Sequence, residues 1–323
     1  MIMKDIKEPV RNGVDPNWMT RKKIIQGIEK TTPWDMAEAE EYSARVDKEN
    51  TLNIPPTASF YPVGARLLGK AEALGLSNQP WELATVDALG YLKLGWQLHY
   101  FWHRQFQRIF ENPHQPLRML SWESTTECMA TYFMLGQIDE AVYMGYMTHA
   151  VLNQTFQLQL SYEEHHRRCH SFMLRLFADW RGDAGHAWPA FAYEEPLYEG
   201  LVALWREPDS ESLKPWLLAA CDHHTQGLKK GEEAAFTDCG SFPRTPLEIL
   251  LILRLRELVG LSNPVLDHPL MEAPFDRFPE TPPVYVPDAL MLGTLDRVRQ
   301  DWPNFDQEVS LASLVDLSRT PVA

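Results

Sequence analysis

The chain has 323 residues, 45% hydrophobic and 23% charged, with 30 Lys and Arg against 44 Asp and Glu, a formal net charge of −14. That composition belongs to a globular chain rather than a disordered one, and the acid excess repels nucleic acid and anionic lipid, so neither is an expected partner. No apolar run approaches the roughly 20 residues that cross a bilayer, which excludes a helical membrane span as well.

Residues 1–60 are expected to form an N-terminal helical segment. Its first residues include Lys4, Asp5, Lys7 and Glu8 and no apolar stretch, so no export signal is read and a cytoplasmic location is expected. The four cysteines, Cys128, Cys169, Cys221 and Cys239, are widely spaced without a CxxC, which suits a reducing compartment. A main helical bundle is expected over 61–263. Within it, Pro80 is placed to start a long aromatic-rich helix from Trp81 to Phe110 that contains Trp96, Tyr100, Phe101 and Trp102.

Glu123–Leu135 and Ile138–Phe156 read as two helices meeting at Gly136. There Tyr132, Leu135, Gly136, Ile138 and Ala141 partly echo the tetratricopeptide hairpin, although no repeat of about 34 residues follows. From Tyr162 to Trp180 the apolar positions Cys169, Phe172, Met173, Leu176, Phe177 and Trp180 draw one stripe on a helix. Ser161 and Glu164 suit a capping box at its start, and Gly182 marks its end. Leu197–Trp205 and Leu213–His224 form another pair across the turn-rich Glu207-Pro208-Asp209-Ser210.

A helix from Pro246 to Val259 is expected to have Thr245 at the N-cap, Pro246 first in the helix, Glu248 three residues after the cap and Gly260 beyond the end. Its string LEILLILRLRELVGL is apolar on more than one side, which predicts a place in the middle of the fold. Residues 264–287 carry seven prolines and are expected to be extended and laid on the bundle. A last helix, Asp288–Trp302, and a tail whose end is expected to be mobile complete 288–323. Sustained polar–apolar alternation is missing throughout. The expected fold is all-α, an irregular α-solenoid-like bundle of stacked helical hairpins.

One cluster has the flavour of a metal site. Glu163, His166 and His170 lie at helical spacing and form one Glu-x-x-His element of a di-iron bundle, but that chemistry needs two. The other match, Glu111 to His114, contains Pro113 and reads as a turn. A zinc reading would add Cys221, His223 or His224 to His166, Cys169 and His170, yet Cys169 falls on the apolar stripe and more simply fills core. No G-x-S-x-G, Walker A or G-x-G-x-x-G occurs. No metal, no cofactor and no catalytic residue is therefore expected, and the chain reads as a non-enzymatic protein.

Charge is distributed unevenly. Arg181–Gly240 holds 11 acidic and 5 basic residues, and Val265–Ala323 holds 10 and 4, so each stretch carries −6 of the net −14. Glu194, Glu195, Glu199, Glu207, Asp209 and Glu211 are the densest group and the expected partner-binding residues, set against the plain alternative of solvated helix faces.

The succession LYEGLVALWREPDSESLKPWLLAACDHHTQGL, then FPRTPLEILLILRLRELVGL, then DHPLMEAPFDRFPETPP resembles helical immunity proteins of bacterial polymorphic toxin systems. The family catalogued as immunity protein 49, and the proteins that guard against type VI-delivered nucleases, are the nearest. The resemblance covers Leu197–Trp302 and lies in helix-pair texture and order. It implies a cytoplasmic protein that neutralises a cognate toxin effector by direct contact, and the acid excess suits a basic nuclease as that toxin. A homodimer is compatible with the same apolar helix faces. A helical-repeat adaptor, and a metal-dependent enzyme using Glu163, His166 and His170, are the alternative readings.

Overall fold

Helices alone make up the regular structure of the residues described by the computed structural model, which are 9–16, 21–29, 36–44, 55–109, 122–153, 168–183, 188, 190–226 and 244–319. Thirteen are α-helical: α1 (Arg21–Glu29), α2 (Ala37–Ala44), α3 (Phe60–Leu76), α4 (Glu82–Ile109), α5 (Trp122–Met134), α6 (Ile138–Asn153), α7 (Arg168–Arg181), α8 (Pro196–Leu204), α9 (Ser210–Gln226), α10 (Leu247–Leu258), α11 (Ala289–Asp301), α12 (Phe305–Glu308) and α13 (Leu311–Arg319). Two 3-10 turns, Ala190–Tyr193 and Pro269–Met271, are added, and no strand occurs among these residues. The all-α bundle of helical hairpins expected from the sequence is what forms. The chain divides into two compact units, one of residues 1–24 with 158–280 and one of 25–157 with 281–323.

In the 25–157/281–323 unit, α3 and α4 form a close hairpin. A Cβ at Gly64 would come within 2.7 Å of the Leu92 backbone nitrogen, and one at Gly95 within 2.8 Å of that of Tyr61, so both positions admit only the smallest residue. Gly136, at φ +77°, turns α5 into α6, and the Gln137 N–H closes on the Tyr132 carbonyl at 2.9 Å. The small Ala141 is fully buried beyond that turn, as the hairpin pattern requires.

Helix α5 is buried over almost its whole length, and Thr148 of α6 donates to Thr125 of α5 at 2.7 Å. Helix α11 packs against α2, and its Asp288 N-cap accepts from the Met291 N–H at 2.8 Å. After α11 the chain adds two short helices, and the tail's end, expected to be mobile, lies outside the described residues. Ser310 accepts from the Ser313 N–H and heads α13, which lies along α6 and buries Leu314.

In the 1–24/158–280 unit, α7 and α8 pack face to face, with Phe172 stacked on Tyr198 at 4.6 Å between centroids. A Cβ at Gly200 would run into the Trp216 indole, which closes the α8–α9 hairpin. The stripe of α7 is buried at Cys169, Phe172, Met173, Leu176 and Phe177, and Gly182 ends the helix as expected. Helix α10 is central, with nine of its twelve residues buried.

The start of α10 differs from the expected one. The Leu250 N–H bonds to the Pro246 carbonyl, so Pro246 rather than Thr245 occupies the N-cap, and no side chain caps it. Glu248 is not a capping residue; it points inward. Residues 264–287, with their seven prolines, contain no α-helix, and Pro269–Met271 makes one 3-10 turn. Glu163, His166 and the proposed Ser161 cap lie outside the described residues.

Candidate functional site

The six acidic residues singled out from the sequence lie on the α8–α9 hairpin and its approaches, but they do not form one patch. Glu194, Glu195 and Glu199 gather at the N-terminal end of α8. Glu207, Asp209 and Glu211 gather at its C-terminal end and the head of α9. The nine residues of α8 put about 13 Å of helix between Glu194 before it and Glu207 after it, while Glu199 stands in its first turn.

Each group is held by cations or by helix ends. Arg168 and Arg175 of α7 reach the first: Arg168 pairs with Glu194 at 3.3 Å and lies 4.0 Å from Glu195, and Arg175 bonds both carboxylate oxygens of Glu199, the longer at 2.9 Å. Arg175 is itself fixed over the Tyr193 ring at 4.3 Å and donates to the Ala192 carbonyl at 2.7 Å. Glu195 doubles as the N-cap of α8 and accepts from the Leu197 N–H.

In the second group, Asp209 accepts from the Glu211 N–H at 3.1 Å, and Glu211 pairs with Lys214 one turn on. Glu207 contributes its backbone: its carbonyl accepts from Arg256 at 2.9 Å. Glu194, Asp209 and Glu211 are the exposed members, while Glu195, Glu199 and Glu207 are half-buried.

Beneath the hairpin, the inner face of α9 carries polar residues that sequence reasoning did not connect. Asp222 is fully buried and receives Arg11 Nε at 2.5 Å, Arg11 Nη2 at 3.1 Å, the Gly13 N–H and His268 Nε2 at 3.2 Å. Burial opposes its ionisation, but Arg11, Gly13 and His268 together hold its carboxyl below the usual carboxylate value.

His268 Nδ1 accepts from the Leu270 N–H at 3.1 Å, so its proton sits on Nε2 and points at Asp222. Burial lowers the His268 pKa despite that carboxylate, and the ring stays neutral. Two further bonds, from the Asp15 N–H to Thr225 Oγ1 and from Gln226 Nε2 to the Gly13 carbonyl, each at 3.1 Å, fasten residues 11–15 to the end of α9.

The neighbouring pair is His224 Nδ1 with Glu248 Oε1 at 2.8 Å, both side chains nearly inaccessible. Arg256 of α10, also fully buried, donates to the carbonyls of Trp205, Glu207 and Ser262 at 2.6–3.2 Å, so carbonyls from the α8–α9 turn and beyond α10 satisfy a guanidinium. A legible signal existed for Arg256, since a charge inside LEILLILRLRELVGL must be either paired or bonded to carbonyls. For Arg11 and Asp222, 211 positions apart, there was none.

The residues considered for metal chemistry are used otherwise. His170 and Cys169 are buried on the α7 stripe. His224 is bonded to Glu248, His223 stands edge-on to Tyr198 at 5.6 Å, and burial pushes the Cys221 thiol up, away from the thiolate a metal would bind. Among the described residues no three His, Cys, Asp or Glu side chains group to hold a metal ion, and no helix is long and apolar enough to cross a membrane. Comparison with family models, curated proteins and solved structures finds no match.

Proposed function

We propose that this chain is an immunity protein that binds a cognate bacterial toxin effector in the cytoplasm and neutralises it by direct contact, with a basic nuclease as the toxin. The observation that carries the reading is the presentation of Glu194, Asp209 and Glu211 as exposed carboxylates at the two ends of a helix locked from below by Arg175, Arg256 and the Trp216–Gly200 contact. Spaced, rigid negative points suit a groove that binds phosphates along a backbone. Preorganisation spares the ordering cost that flexible acidic side chains would incur on binding. The net charge of −14 supports the same partner by steering the encounter.

The test starts from the reading frame beside this one, whose product should arrest growth when expressed alone and be tolerated when this protein is co-expressed. Continued arrest with both proteins soluble overturns that pairing. Glu194→Lys with Glu211→Lys should then slow association several-fold and flatten its salt dependence without lowering the melting temperature. An unchanged on-rate removes the hairpin as the contact surface. Glu195 and Glu199 are poor positions for this experiment, since reversal would uncap α8 and set a cation beside Arg175.

A further inference from the structure

The 25–157/281–323 unit contains a cavity of about 280 Å³ that the acidic hairpin does not explain. Its walls come from α4, the α5–α6 turn, the extended 283–287 segment, α11 and α12. Along 283–287 the side chains alternate, with Val284 and Val286 exposed at 75% and 72% and Tyr285 turned inward. Tyr285 lies against α4 where a Cβ at Gly90 would collide with its ring. The Gln137 amide donates to the Pro283 carbonyl, and Tyr91 donates to Asp288, so the segment is fastened at both ends. The space is several times the roughly 30 Å³ share of one water and is walled by fixed elements.

Its chemistry is selective. The charged lining groups cancel in pairs: Lys93 holds Glu140 at 2.5 Å, and Arg299 holds Asp306 at 2.9 Å. Val86, Leu94, Leu295 and Phe305 supply apolar wall. Two phenols remain. Tyr132 is only 3% exposed and lines the space, and the Tyr285 hydroxyl reaches the Met291 thioether, a weak acceptor, at 3.0 Å. Burial first raises the pKa of both rings, followed by Glu140 at Tyr132 and by Asp288 at Tyr285, so both remain O–H donors. An anionic head would meet the fields of Glu140 and Asp288, and a cationic one would compete with Lys93 for Glu140. An uncharged oxygen acceptor satisfies the donors at neither expense.

We propose that this cavity binds an uncharged amphipathic small molecule whose carbonyl oxygen accepts from Tyr132 and Tyr285 while its hydrocarbon body lies on the α4–α11 wall. This site is independent of the toxin-binding reading. The experiment titrates the full chain with octanamide, octanoate and octylammonium, three heads on one chain length, by ligand-observed NMR. Octanamide should saturate a single site and bind about tenfold more tightly than either charged analogue. Tyr132→Phe, which preserves volume, should weaken octanamide about fivefold, whereas Tyr100→Phe, a buried phenol outside the cavity, should leave it unchanged. Leu295→Trp should fill the space and abolish binding while the helical circular dichroism is retained. Failure to saturate, preference for a charged head, equal losses in the two tyrosine variants, or binding that survives Leu295→Trp would each overturn the proposal.

Discussion

The two units differ in the polar groups on which their cores lean most. In the 1–24/158–280 unit the buried polarity is charged or close to it: Asp222 with Arg11 and His268, Glu248 with His224, and Arg256 among carbonyls. In the 25–157/281–323 unit one charged pair is buried, Arg297 with Asp301 at 2.9 Å, and beside it stand buried phenols. Tyr100, Tyr132 and Tyr143 are buried rings whose pKa values burial raises, that of Tyr100 to about 12, so they titrate far from neutrality. A buried charge is tolerated only while every partner is in place, whereas a neutral hydroxyl that loses one bond forfeits about that bond. Removing one member of a charged cluster in the first unit should therefore act steeply, and removing a phenol hydroxyl in the second should act by a small step.

The largest effect is expected at Asp222. Asp222→Ala strands the Arg11 guanidinium and the His268 N–H and unfastens residues 11–15. It should cost about 3–5 kcal/mol, read as a lower denaturant midpoint, and a loss under 1 kcal/mol would erase the contrast between the units.

An intermediate effect comes from His103 of α4, stacked edge-on against His99 at 4.2 Å, whose pKa burial lowers to about 4. A histidine with a depressed folded pKa contributes stability that is complete above its unfolded value of about 6.5 and is lost as pH falls from there toward 4. Melting followed between pH 7 and 4 should lose on the order of 3 kcal/mol through this ring, and His103→Gln should flatten that slope. His268 has the same sign, and its loss also begins below about 6.5. Asp222 has the depressed-carboxylate sign, so its contribution holds above about 4 and disappears below.

The smallest effect is expected at Tyr143, whose hydroxyl donates to the Val309 carbonyl at 2.8 Å and accepts from Gln97 at 2.9 Å. Tyr143→Phe should cost about 1–2 kcal/mol. A loss matching that of Asp222→Ala would show that the phenols are as tightly interlocked as the charges.

Much of the helical framework was readable because its signals are local. The α7 stripe, the α5–α6 turn and the ends marked by Gly182 and Gly260 depend on residues within one or two turns of each other, and all three glycines adopt positive φ. Helix α13 was readable too, from Ser310 followed by Leu311, Leu314 and Val315, but its nine residues fell below the length at which a stripe stands out. The start of α10 misled for an instructive reason. Thr245-Pro246-x-Glu248 is a sound capping pattern, yet a buried His224 offered Glu248 a partner at 2.8 Å that no local bond could match. Spacing along the chain picked out the acidic residues but not that Arg168 and Arg175 of α7 reach three of them, Glu194, Glu195 and Glu199.

What the sequence determined by itself was the helical class, the turns and the excess of negative charge, since periodicity, glycine conformation and net charge are properties of neighbours or of simple sums. Only the tertiary structure decided which charges are satisfied and which face outward, how residues 11–15 are tied to α9, and that Tyr132 and Tyr285 face a common space. Those outcomes depend on contacts between residues as much as 213 positions apart, and they form only after hydrophobic burial has brought the helices together.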